Sequence, residues 1–202
     1  MIESKHMKDV LLLLADISGY TRFMVANQTE LTHSQEIIGS LLEAVIGEVE
    51  IPLTIAKFEG DAVFLYATKD ADAHSVLRHV RDKLPRFFAA FSSRLWELAA
   101  TRTCECGACR NVNELRLKVI AHSGKAVIYS IAARTELAGV DVIIAHRLLK
   151  NSIAAHEYIL LTESAKRDLA LDLPFPQEST EKIEDIGPIK VTVYRPSFTN
   201  SS

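Results

Sequence analysis

The sequence predicts an α/β fold of the α+β kind, a mixed or antiparallel sheet with helices packed on it. Three observations carry this expectation. Asp9 to Ile17 is apolar almost throughout, the pattern of a central strand covered on both faces. Two short β-prone runs, Leu53 to Phe58 and Ala62 to Ala67, flank Glu59-Gly60-Asp61, a linker of hairpin length. Helical periodicity alternates with such hairpins, which disfavours a doubly wound parallel sheet.

Taken in order, the first strand ends at Ser18-Gly19, just beyond Asp16. From Thr21 to Glu50, Ile37, Ile38, Leu41, Leu42, Val45 and Ile46 recur at helical spacing, and Gln28-Thr29 divides the segment into two helices. After the hairpin, Asp70 to Ala100 is amphipathic. Pro85 lacks an amide donor and marks a kink or a boundary, so one long helix or two short ones fit. Within it Arg78, Arg81, Lys83 and Arg86 read as a solvated face. Leu115 to Ala121 and Ala126 to Ile131 flank His122-Ser123-Gly124 and read as a strand pair. A helix over Val140 to Asn151 follows, then Tyr158 to Leu161, Glu163 to Leu171 and Ile189 to Tyr194 as strand, helix and strand. The predicted order is β-αα-ββ-α-ββ-α-β-α-β. It forms a single domain over residues 9–196, with 1–8 and 197–202 as tails and 101–113 as a cysteine-containing loop.

With 202 residues, 48% hydrophobic and 24% charged, the chain has ordinary globular usage and enough apolar material for a core. A net charge of −3 with both signs intermixed gives no broad basic field, which argues against nucleic acid or an acidic membrane as partner. Val10 to Ala15 is far short of the ~20 apolar residues of a membrane span. Residues 1–8 lack the features of a secretory signal, so a cytoplasmic location is the default expectation.

Asp16 at a strand end and Asp61 at a hairpin tip are the candidate catalytic and metal-ligating pair. Adjacent strands would bring them together, and two nearby carboxylates repel unless a cation neutralises them. Oxygen ligands suit Mg²⁺ or Mn²⁺, with phosphate oxygens completing the shell. Spacing alone leaves open the reading of each Asp as a turn former or helix cap.

The surrounding residues are more specific. Leu14-Ala15-Asp16-Ile17-Ser18-Gly19-Tyr20-Thr21 resembles the F-x-D-I-x-G-F-T signature of the class III adenylyl and guanylyl cyclases. Lys57-Phe58-Glu59-Gly60-Asp61-Ala62 is similar to their K-x-x-G-D-x hairpin, and Val119 to Gly124 to their G-I-H-x-G strand. Gly139 to Leu148 resembles G-x-x-V-N-x-A-x-R-L, and the tail with Glu184-Asp185-Ile186-Gly187 before Val191 to Tyr194 is similar to the final strands. The resemblance spans almost the whole chain. It implies a ferredoxin-like βαββαβ core and a head-to-tail homodimer binding a nucleoside triphosphate with two Mg²⁺ or Mn²⁺ ions at the interface. By that likeness Asp16, Asp61 and the Ile17 carbonyl hold the metals, Arg147 contacts phosphate, and Lys57 with Glu136 reads the base, weakly favouring ATP. The product would be a 3′,5′-cyclic nucleotide.

Three positions depart from the family pattern. Ile143 stands where the family has an Asn that stabilises the transition state, and losing one such preorganised contact costs on the order of 10²–10³-fold in rate. Glu136 replaces the usual Asp and reads equally as a solvated loop residue. Tyr129 takes the place of a glycine, either narrowing the pocket or packing in its strand. These departures make a catalytically weak or inactive nucleotide-binding module the alternative.

All three cysteines, Cys104, Cys106 and Cys109, fall within a C-x-C-x-x-C segment that has no counterpart in the cyclase motifs. Three soft thiolates on one glycine-containing loop suit a single Zn²⁺, which needs a fourth ligand. His33, His74, His79, His122 and a second subunit are the candidates, with a redox switch as the other reading.

Overall fold

The computed structural model describes residues 3–70, 72–101 and 104–196. The expected tail at 197–202, and Arg102 and Thr103 of the cysteine loop, lie outside the described residues. Strand β1 (Glu3–Ser18) leads into helix α1 (Tyr20–Ala26), a 3-10 turn at Gln28–Glu30 and helix α2 (Leu31–Ile46). Hairpin β2 (Thr54–Glu59) and β3 (Ala62–Thr68) is followed by α3 (Ala73–Ala100), the short α4 (Gly107–Asn111) and a 3-10 turn at Val112–Glu114. Then come β4 (Arg116–Ile131), β5 (Arg134–Ala138), α5 (Val140–Arg147), β6 (Tyr158–Thr162), α6 (Glu163–Leu169), β7 (Gln177–Ile183) and β8 (Gly187–Tyr194).

The strands form one eight-stranded sheet in the order β2-β3-β1-β4-β6-β8-β7, with β5 paired to β4. Among the described residues only the β4–β6 pair is parallel. The run β2-β3-β1-β4 is the ferredoxin-like core, with β1 at its centre. That position explains the unbroken apolar run. Leu11, Leu13, Ala15 and Ile17 face one layer with Ile38 and Leu41 of α2 and Phe87, Phe88 and Phe91 of α3. Leu12 and Leu14 face the other layer with Ile144, Ala145 and Leu148 around α5, plus Val191 and Val193 of β8. Side chains alternate across a strand, so Asp16 follows Leu12 and Leu14 onto the α5 face.

Several expectations need correction. Residues 3–8, read as a tail, continue β1 and pair with β4. His122-Ser123-Gly124 is no turn: β4 runs straight through it, and its hairpin partner is β5. Gly124 serves close approach instead. A Cβ there would overlap the Asp141 carboxylate, which accepts from Lys125 N at 2.7 Å and lies 2.9 Å from His122 Nε2. Gly124→Ala is therefore expected to dislodge Asp141 and lower stability by about 2–3 kcal/mol, read as a fall of roughly 5–10 °C in thermal midpoint. Of the two readings left open at Pro85, one long helix is the outcome, with Pro85 inside a continuous α3. Lys83, read as solvated, is buried with its ammonium 2.8 Å from Glu50 and 3.7 Å from Glu48. The cysteine loop is partly helical, through α4 and the 3-10 turn after it.

Candidate functional site

The carboxylate site is assembled by strand register. Asp16 is the residue of β1 directly opposite Ala62, the first of β3, so Asp61 at the hairpin tip falls beside Ile17. Ile17 N donates to the Asp61 carbonyl at 3.2 Å, which ties the hairpin tip to the end of β1. Burial and the charge of Asp16 together push the Asp61 carboxyl up to about 6. A cation at this point would relieve both effects.

One cation is already there, on a residue that the sequence reading missed. On the other side of β1, Asp16 is in register with Lys118 of β4. The ammonium lies 2.9 Å from Asp16 Oδ2 and also donates to the Leu149 carbonyl at 3.1 Å. Both side chains are largely buried, at 17% and 14% exposure, so desolvation offsets much of the pair's attraction, but removing either partner would leave the other a poorly solvated charge. Lys118 sits at the polar step between Leu117 and Val119 of an alternating strand, an ordinary place for a lysine, so only the register shows what it faces.

Lys57 is exposed on β2 and pairs within its own strand, Nζ to Glu59 Oε1 at 3.0 Å. The other Glu59 oxygen lies 3.2 Å from His146 Nδ1, and the His146 ring stands edge-on to Phe64 at 4.7 Å. Burial lowers the His146 pKa. Glu136 is half-buried on β5 opposite Tyr129 and has no ion pair among the described residues. Lys57 and Glu136 are thus not joined as a direct pair. Arg147, the last residue of α5, is exposed one turn after Ile143, which is 50% exposed. Val140, Ile143 and Arg147 share one outward stripe of the helix.

A second group is fully formed. His33, in the first turn of α2, meets Cys104, Cys106 and Cys109, with one ligand atom from each all within 4.8 Å of one another. Cys104 Sγ lies 3.1 Å from Cys106 Sγ and 3.4 Å from Cys109 Sγ. His33 Nδ1 is 3.7 Å from Cys104 Sγ and 3.5 Å from Cys106 Sγ, and Nε2 is 3.7 Å from Cys109 Sγ. The cysteines are free thiols. Cys106 caps α4, accepting from Cys109 N at 3.4 Å. Burial beside the other sulfurs pushes the Cys109 thiol up to about 12, whereas a backbone hydrogen bond at Cys106 draws Cys104 down. This His/Cys group could bind a metal. Of the four histidines that the sequence left open, folding selects His33. His122 is held elsewhere, between Thr162 Oγ1 and Asp141 Oδ1.

Comparison with solved structures defines the class of fold. The chain superposes on the guanylyl cyclase Cya2 with a TM-score of 0.68 at 14% identity, covering 98% of this chain and 97% of that one. The adenylyl cyclase CyaB from P. aeruginosa gives 0.67 at 14% identity, covering 96% and 97%. A class III adenylyl cyclase-like ATP-binding protein from Pseudomonas aeruginosa gives 0.62 at 16%, covering 82% of this chain and 36% of that one. The fold is that of the class III nucleotidyl cyclases. By sequence, the chain belongs to the family described as protein of unknown function (DUF2652), whose model matches residues 38–158. It is also 36% identical over 126 residues to the uncharacterized protein Rv2561/Rv2562 of Mycobacterium tuberculosis (strain ATCC 25618 / H37Rv), a match covering 62% of this chain. The chain spans 57% of that relative's length. No helix among the described residues is long and apolar enough to cross a membrane.

Proposed function

We propose that the domain binds a nucleoside triphosphate, ATP in preference to GTP, together with Mg²⁺ or Mn²⁺ at the carboxylate site of a homodimer. The observation that carries this reading is the convergence of Asp16 and Asp61 from paired strands at one end of β1. The donor set fits hard divalent ions: two carboxylates and the Ile17 carbonyl, with a single ammonium from Lys118 against two negative charges. When bound, the ions would polarise the triphosphate and offset charge developing on its oxygens. Arg147, exposed at the end of α5, would reach phosphate from the partner subunit, with the Val140 and Ile143 stripe covered by the dimer contact. Lys57 could donate to adenine N1 and Glu136 accept from its amine. The thiol and imidazole group would hold a different ion, Zn²⁺, because soft ligands disfavour Mg²⁺.

Binding without efficient cyclisation is favoured by two observations. Ile143 offers no hydrogen-bonding group on the exposed face of α5, and Lys118 occupies one oxygen of Asp16. The deciding experiment incubates each triphosphate with Mn²⁺, analyses products, and follows thermal stabilisation in the wild type, Asp61→Ala and Ile143→Asn. The expected result is stabilisation by Mn·ATP that Asp61→Ala abolishes. Cyclic product should be scarce in the wild type and rise on the order of 10–100-fold in Ile143→Asn. Stabilisation with no product from either protein selects the binding module. No stabilisation by any triphosphate removes the nucleotide reading.

A further inference from the structure

We infer that His33, Cys104, Cys106 and Cys109 form a closed, four-ligand zinc site that staples the segment before β4 onto α1 and α2, and so holds in place the Gly19 turn that follows the Asp16 end of β1. The inference deepens the assignment of Zn²⁺ to this group, on which it rests. It does not depend on nucleotide binding.

Zinc bonds of about 2.3 Å to sulfur and about 2.05 Å to nitrogen at tetrahedral angles set sulfurs about 3.8 Å apart and sulfur from nitrogen about 3.6 Å. One ligand atom from each of the four residues lies within 4.8 Å of the others, with Cys104 Sγ 3.1 and 3.4 Å from the other two sulfurs. One central ion therefore needs the sulfurs to spread slightly and the His33 ring to present a single nitrogen, as Nδ1 does toward Cys104 and Cys106 at 3.7 and 3.5 Å. Four protein ligands leave no position for water or substrate, which makes the site structural. The loop is shaped for it. Gly107, between the second and third cysteines, lies so close to the buried Asn27 that a Cβ would overlap its Oδ1, an atom with no hydrogen-bond partner. Asn27 is also the residue that ends α1, its Nδ2 donating to the Phe23 carbonyl at 2.7 Å. The backbone N–H of Cys109 points at Cys106 Sγ at 3.4 Å and fixes the direction of that sulfur.

The connection to the carboxylates is short. Helix α4 packs on α1, α2 and α3, and the 3-10 turn after it runs into β4. The Glu114 carbonyl lies 3.3 Å from where a Gly19 Cβ would be, and Arg22 approaches Glu114 at 3.7 Å. Gly19 has φ +91° and is the turn that follows Asp16-Ile17-Ser18. Two residues beyond Arg116, the same segment delivers Lys118 to Asp16. Releasing the staple therefore loosens both strand ends that shape the carboxylate site.

The test begins with the full chain, purified reduced, and needs no variant. Metal analysis should return about one zinc per chain, and Co²⁺ exchanged into the site should show the intense visible bands and thiolate charge transfer of four-coordination. His33→Ala should weaken zinc binding by more than the ~10–100-fold that loss of an outer-shell contact costs, and His33→Cys should restore it. Zinc removal should speed amide exchange across residues 18–26 and 112–116 by at least about 10-fold and leave β8 protected. Failure of the reduced wild type to take up stoichiometric zinc, or a six-coordinate Co²⁺ spectrum, overturns the zinc assignment. Wild-type zinc affinity in His33→Ala overturns the four-ligand site. Unchanged exchange at 18–26 after zinc removal, with zinc binding intact, overturns the staple alone.

Discussion

Asp61→Asn is expected to raise the thermal midpoint at pH 7.5 in metal-free buffer and, in the same protein, to abolish stabilisation by Mn·ATP. The carboxyl is held at about 6 in the fold against an ordinary 3.8. The folded state therefore binds this proton more tightly than the unfolded chain, and wild-type stability falls as pH rises through the interval from about 4 to about 6. Above that interval the destabilisation is fully present. Asn carries no charge there, so the variant should exceed the wild type by roughly 2–5 °C at pH 7.5, an amount kept small by the half-exposed position of the group. The difference should vanish near pH 4. Mn²⁺ should favour the wild type, opposite to the effect of alkaline pH, because both act on the charged carboxylate but only the ion neutralises it. Thermal scans across pH, with and without Mn·ATP, check this. A variant less stable than the wild type at pH 7.5, yet still protected by Mn·ATP, would remove Asp61 from the site.

Lys118→Met has the larger stability effect and the more informative rescue. Methionine keeps most of the apolar stem and removes the ammonium, leaving Asp16 charged, 14% exposed and without its partner. Breaking a buried pair from one side costs about 3–5 kcal/mol. Partial exposure and the neighbouring backbone bring the expectation to about 2–4 kcal/mol, or a midpoint lower by roughly 5–12 °C. Millimolar Mn²⁺ or Mg²⁺ should recover a larger share of the loss in this variant than it adds to the wild type, because a divalent ion then replaces the missing charge between Asp16 and Asp61. Equal metal responses in the two proteins would mean that Lys118 does not compete with a metal at this point.

Much of the architecture was legible because the strongest signals are local. The two-sided burial of β1 appears as an unbroken apolar run, and α1 and α2 appear with their break at Gln28-Thr29. The hairpin of β2 and β3 follows from its acidic linker. The strands that escaped notice, β5 and β7, are short or peripheral and read Arg-Thr-Glu-Leu-Ala and Gln-Glu-Ser-Thr-Glu-Lys-Ile. Strands that bury little of their length carry little apolar periodicity. His122-Ser123-Gly124 misled for a related reason. Glycine in a strand reads as a turn, whereas its use in β4 is to admit the Asp141 carboxylate.

The sequence by itself determined the central strand, the two carboxylates at its end and the three thiols of one loop, since each is a property of neighbouring residues. Tertiary structure decided which groups complete them. Lys118 meets Asp16 through the register of β1 against β4, and His33 joins cysteines that begin 71 residues later through the docking of α2 beside α4. Neither pairing leaves a periodic trace in the chain, because strand register and helix docking are fixed by burial of the whole sheet, with β1 and β4 in its interior.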